Sequence, residues 1–101
     1  MEYKIDITEQ ALTDVRDIFR YIAVDLNEPT VATKMKEAIL DCVDSLEVFP
    51  LRNKLVDDEE ASVKGVRRAI VKNYSVFYSV TGNNILILRV LYNRREWQNF
   101  I

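Results

Sequence analysis

The chain of 101 residues contains no histidine. That absence excludes the Ser/His/Asp and Cys/His arrangements of nucleophilic catalysis, and it removes the one side chain whose ordinary pKa suits general acid and base work near neutrality. A single cysteine, Cys42, cannot form an internal disulfide, and one thiolate among scattered carboxylates makes a poor zinc site. Neither a metal nor any other cofactor is expected. Only two glycines and two prolines interrupt a chain that is close to half apolar, so the composition is that of one folded domain over residues 1–101 rather than a disordered segment. No apolar run approaches the 18 or so residues needed to span a bilayer, and "MEYKIDIT" does not read as a charged-then-apolar leader. A soluble cytoplasmic protein without membrane contact is the expectation.

Net charge is −2 and the pI about 5.1, which taken alone argues against a general nucleic-acid binder. The average hides a division. Residues 1–63 carry seven Lys/Arg against fifteen Asp/Glu, a balance of −8, whereas residues 64–101 carry seven against the single Glu96, a balance of +6. A basic last third on an acidic remainder points to a polyanionic or acidic partner.

Residues 3–7 alternate apolar and polar as a half-buried strand does. Thr8 then offers an N-cap hydroxyl with Glu9 behind it in the first turn. Ala11, Leu12, Val15, Ile18, Phe19, Ile22, Ala23 and Leu26 form one apolar stripe and predict a continuous helix to Leu26. Pro29 breaks it and opens a second helix with the stripe Val31, Met35, Ala38, Ile39, Cys42, Val43 and Leu46, ending before Phe49-Pro50. Cys42 and Met35 read as packing residues. "LRNKLVDDEEASVKG" reads as a loop, in which Asp57, Asp58, Glu59 and Glu60 are a solvated run with at most a weak hold on a cation.

Val66–Val71, Tyr74–Val80 and Ile85–Tyr92 then read as three strands of an antiparallel meander, with a turn at 81–84. "ILILRVLY" is apolar on both faces and belongs in the middle of the sheet. The order β-α-α-β-β-β gives an α+β fold, a two-layer sandwich with a helix hairpin packed on a small antiparallel-rich sheet.

The cations of the last third fall in two groups, Lys64, Arg67 and Arg68 before and within one strand, and Arg94 and Arg95 after another. Tyr74, Tyr78, Tyr92 and Trp97 lie between or beside them. Arginine forks with flat aromatic surfaces suit single-stranded nucleic acid, and they equally suit a protein interface that meets an acidic or helical partner. Against both readings, tyrosine and tryptophan favour strands and core edges in any protein, and surface arginines are mostly solvated.

The segments "ALTDVRDIFRYIAVDL", "LEVFP", "GVRRAIVKNYSVFYSV" and "ILRVLYNRREW" together resemble, over nearly the whole chain, the RelE/ParE superfamily of toxins from bacterial type II toxin–antitoxin systems. "DIFRYIA" is most similar to the ParE-like, plasmid-stabilisation branch. The resemblance implies the same sandwich fold, a cognate antitoxin that wraps the toxin in a hetero-oligomer, and growth arrest when the toxin is free. It implies two alternative mechanisms. ParE-like members inhibit DNA gyrase and are not hydrolases; RelE-like members are ribosome-dependent, metal-independent mRNA endonucleases. Under the nuclease alternative the resemblance gives Arg68, Tyr92, Arg94 and Arg95 catalytic roles. Under either mechanism Lys64, Arg67, Lys72, Tyr74, Tyr78, Glu96 and Trp97 are candidate binding residues of the basic–aromatic surface. Ser75 stands where RelE-like nucleases commonly carry an arginine. Glu96 is the only carboxylate of the region, and its arginine neighbours make it a weaker base, although a tyrosine pressed by arginines gains acidity. The balance leans to a gyrase inhibitor, with a non-toxic member that only binds antitoxin and helps repress its operon as a third alternative.

Overall fold

The computed structural model describes residues 3–101. Its elements are β1 (Lys4–Ile7), α1 (Glu9–Arg20), a π-type turn (Tyr21–Asp25), α2 (Pro29–Ser45), α3 (Glu59–Val63), β2 (Val66–Val71), β3 (Tyr74–Thr81), β4 (Asn84–Tyr92) and a closing 3-10 turn (Trp97–Asn99). The sheet order is β1-β4-β3-β2, with β2, β3 and β4 antiparallel and β1 joined parallel to β4. The strand with two apolar faces, β4, therefore lies between two neighbours, as expected of it. This is the α+β sandwich read from the sequence, a helix hairpin on a mixed four-stranded sheet.

The helices bury one face of the sheet. Ala11, Ile22, Ala32, Met35, Ile39, Val43 and Leu46 close on Ala69, Tyr74, Val76, Tyr78, Ile85, Ile87 and Val90. Side chains alternate along a strand, so Phe77 and Leu91 point the other way. They meet Val56, Ala61, Val66 and Trp97 in a smaller cluster under the 52–63 segment and the chain's last residues.

Three predicted details change. The first helix does not run on to Leu26: after Arg20 it widens, the Leu26 amide bonds to the Tyr21 carbonyl five residues back, and Asn27 takes a left-handed φ of 53°. The wider turn slips the stripe, and Leu26 faces outward. The predicted loop contains α3, capped by the Asp58 carboxylate accepting from the Ala61 amide at 3.1 Å and anchored by buried Ala61. So short a helix has no stripe to announce it. Trp97, read as a binding residue of the basic–aromatic surface, is instead buried with its ring stacked on Phe77 at 5.2 Å.

The seam between α1 and β4 fixes the layers. Thr8 caps α1 by accepting from the Ala11 amide at 3.0 Å, and its hydroxyl donates to the Leu88 carbonyl at 2.9 Å. Leu88 is the extra residue of a bulge, where Phe77 pairs with Arg89 but Tyr78 pairs with Ile87. Just past the last β1 pair, Asp14 accepts from the Val90 amide at 2.9 Å and holds Arg89 by two bonds of 2.7 and 2.8 Å. One carboxylate thus continues the edge pairing that β1 leaves off.

Candidate functional site

The candidate residues are distributed over both faces of the sheet. Arg67 is opposite Tyr78 on β3, on the helix-facing side, and its guanidinium donates to the Asn53 carbonyl at 2.6 Å. Arg68, one residue on, points to the other side: it stacks over Phe77 at 5.4 Å and its Nε donates to the Ser75 hydroxyl at 2.8 Å. Ser75 is fully buried and in turn donates to the Asn93 amide oxygen. Asn93 binds the opposite turn twice, through its side-chain amide to the Lys72 carbonyl at 2.9 Å and its backbone amide to the Asn73 carbonyl at 2.8 Å. A chain of hydrogen bonds therefore runs from Arg68 across the sheet end to the residue before Arg94 and Arg95. The two basic groups, apart in the sequence, are joined there through Arg68, whereas Arg67 is turned away.

Arg94, Arg95 and Lys72 are exposed. Among the described residues the one ion pair is Asp14–Arg89, so Arg67, Arg68, Arg94 and Arg95 have no carboxylate within salt-bridge distance. Arg95 covers the Phe100 ring at 4.5 Å, and Arg89 approaches the same ring at 5.1 Å. Glu96 is exposed, and its carboxylate accepts a long contact from the side-chain amide of Asn99 at 3.4 Å. Lys64 stands apart, with Arg89 and Phe100 on the wall of a hollow of about 370 Å³ beside Thr8 and Ser79.

The tyrosines separate as well. Tyr78 has no exposed surface; its hydroxyl donates to the Pro50 carbonyl at 2.6 Å and accepts from Asn53 at 3.1 Å. Tyr74 is buried with its ring edge-on to Tyr92 at 5.6 Å, and Tyr92 itself is 42% exposed. Burial raises the pKa of Tyr74, and the neighbouring Tyr21 and Tyr92 add to the rise. Burial raises Tyr78 too, against the opposing pull of the Asn53 hydrogen bond and of Arg67 and Arg52. The expectation that arginine neighbours acidify a tyrosine is reversed at Tyr78, because desolvation outweighs the charges of Arg67 and Arg52.

Tyr74, Tyr92, Asn73 and Arg95 form one wall of a groove of about 670 Å³; Tyr21, Leu26 and Val31, all substantially exposed, form the other with Met35 at its floor. Asp17 and Glu28 stand on its rim. The π-type turn supplies Tyr21 and Ile22 to this groove, which is why a stripe count on an ideal helix did not reveal it.

Asp14, Arg89, Asn93 and Phe100 were not singled out from the sequence. Asp14 carried a faint signal, a carboxylate within an apolar stripe, whereas Asn93 carried none because its partners are set by the fold. No group of three or more His, Cys, Asp or Glu among the described residues is placed to hold a metal, and the thiol of Cys42 is pushed up by burial. No helix of the described residues is long and apolar enough to cross a membrane.

Residues 5–97 match the family described as ParE toxin of type II toxin-antitoxin system, parDE. No curated protein matches the chain in sequence. The solved chromosomal ParDE toxin–antitoxin system from P. aeruginosa is similar at 26% identity and TM-score 0.75, covering 90% of this chain and 96% of that one. The toxin–antitoxin complex RelBE2 from Mycobacterium tuberculosis shares the fold at 22% identity and TM-score 0.65, over 91% of this chain and 99% of that one. YafQ from E. coli shares it at 19% identity and TM-score 0.53, over 90% and 93%.

Proposed function

Because the chain belongs to the ParE toxin family of type II toxin–antitoxin systems, we propose that it arrests bacterial growth in the cytoplasm by docking the basic end of its sheet on DNA gyrase, without hydrolysing a substrate. The observation that carries this reading is the exposed Arg94–Arg95 pair, which has no salt-bridge partner among the described residues. Glu96, adjoining the pair in the chain, is solvent-exposed, and burial raises the pKa of Tyr74 on the neighbouring groove wall. Such a surface binds an acidic partner through charge-assisted hydrogen bonds and has little means of moving protons.

A cognate antitoxin silences the toxin, and the groove is its seat. Tyr92 and Arg95 belong both to the groove and to the basic end, so an apolar antitoxin segment lying between the helices and β3–β4 covers part of the toxic surface. The similar ParDE and RelBE2 structures, both toxin–antitoxin systems, support the assignment of that partner.

One observation favours the ribosome-dependent mRNA endonuclease instead. The guanidinium of Arg68 reaches Ser75 from the neighbouring strand and supplies a positive charge at the position where nuclease relatives are expected to carry their own arginine. The deciding experiment induces the protein without antitoxin and follows ribosome-bound transcripts and plasmid supercoiling within minutes. Relaxed plasmid with intact mRNA is the expected result; codon-phased cuts with normal supercoiling establish the nuclease, and unimpaired growth identifies a non-toxic antitoxin-binding protein. Arg94→Ala with Arg95→Ala removes two contacts of about 1.5 kcal/mol or more each, so toxicity falls at least about a hundredfold; unchanged arrest refutes the site.

A further inference from the structure

We propose that Ser75 and Asn93 are positioning residues that clamp the strained Lys72–Asn73 turn to the Arg94–Arg95 turn, making one cationic surface of two. The inference rests on the reading that this end of the sheet is the toxic surface, and it assigns that surface a buried determinant which touches no target. Four observations carry it.

Ser75 is the only buried serine, threonine, asparagine or glutamine among the described residues, 0% exposed, and it uses its hydroxyl in both directions, accepting from Arg68 and donating to Asn93. An alkyl side chain would fill this place in the smaller core, beside Phe77 and Leu91, as well as a hydroxyl does. Asn93 then binds the carbonyls of two consecutive residues in the opposite turn, Lys72 and Asn73. Lys72 has φ 55°, a left-handed conformation that a long side chain adopts at a cost and keeps only when its surroundings impose it. Finally, the Arg95 amide closes a turn on the Tyr92 carbonyl at 2.9 Å, so the backbone direction at Asn93 sets where Arg94 and Arg95 project.

Without the clamp, the Lys72 turn relaxes and the Arg94–Arg95 segment loses its fixed bearing on Arg68. Binding through several cations requires all of them to be presented together, so loosening their frame weakens docking with every charge still in place.

The test compares Ser75→Thr with Ser75→Val, side chains of near-equal volume that differ by the hydroxyl, and adds Asn93→Ala, which leaves the core untouched. Growth arrest is read against inducer dose at matched protein level, with Arg94→Ala plus Arg95→Ala as the control for the surface. Hydrogen exchange of the purified full chain is read at residues 72–73 and 93–96. Ser75→Val and Asn93→Ala are expected to need about tenfold more protein for half-arrest, with faster exchange confined to those two segments, while Ser75→Thr stays within about twofold of the parent. Where both Ser75 variants fail through overpacking, Asn93→Ala decides. Full toxicity of Ser75→Val and Asn93→Ala while the double arginine variant is inactive overturns the clamp, as does lost toxicity with exchange raised throughout the molecule. Full toxicity of the double arginine variant instead overturns the reading of the surface.

Discussion

At the scale of single residues, Tyr78 shows how a functional-looking side chain is taken over by the core. Its ring is among the largest fully buried side chains, and its hydroxyl ties the end of the helix hairpin to β3 through the Pro50 carbonyl and Asn53. Tyr78→Phe leaves both partners short of a bond and is expected to cost about 1–2 kcal/mol in urea unfolding near neutrality. The same variant changes the alkaline response. Burial raises the Tyr78 pKa above the ordinary phenol value of 10.0, so the folded state favours the protonated ring. The stability this contributes is complete below that value and is lost as pH climbs through the higher folded-state pKa. The gap in stability between parent and Tyr78→Phe should therefore hold through neutral pH and narrow only as pH climbs past about 10; a constant gap would show that the ring ionises as easily folded as unfolded.

At the scale of elements, the decisive contact is the fastening of α1 to β4. Asp14 is buried with its carboxylate committed to Arg89 and to the Val90 amide, and the Asp14 hydrogen bond is the main cause of the raised Arg89 pKa. Removing one partner of such a pair strands the other, so Asp14→Ala is expected to lose about 3 kcal/mol, measured by equilibrium unfolding. Asp14→Ala combined with Arg89→Met should recover part of that loss, because no unpaired guanidinium remains. The π-type turn works at the same scale. It slips the stripe of α1 by a step and turns Leu26, predicted as core, outward to stand with Tyr21 in a groove wall.

At the scale of the whole molecule, the division of charge becomes spatial. The acidic first two thirds supply β1, the helix hairpin and α3, while the basic third supplies β2 to β4 and the closing turn. Arg94 and Arg95 lie where β4 leaves the sheet and no described carboxylate neutralises them. Attraction of this kind is screened by salt, with a Debye length of about 10 Å at 0.1 M and about 3 Å at 1 M. Target binding by the free toxin should accordingly weaken steeply between those two salt levels, whereas antitoxin held in the apolar groove should weaken much less; both are measurable by titration calorimetry. Equal salt dependence for the two partners would contradict the proposal that charge dominates target docking while apolar contact dominates antitoxin binding.

The local elements and their order were legible in the residues, because each carries its own signal. Thr8 caps, Pro29 opens a helix, the stripe through Met35, Ile39 and Val43 marks one face, and "ILILRVLY" demands cover on both sides. The basic character of the last third was equally plain, since charge is counted without coordinates. Which cations act together was decided only by tertiary structure. Arg67 and Arg68 are adjacent in the chain, yet the two-residue period of a strand sends them to opposite faces, and Tyr78 and Trp97 are drawn into cores that exist only once the layers close. Ser75 and Asn93 lie 18 positions apart with no pattern linking them. Their hydrogen bond depends on the pairing of β3 with β4, because a contact between side chains on different strands is specified by register, and register is a property of the assembled sheet.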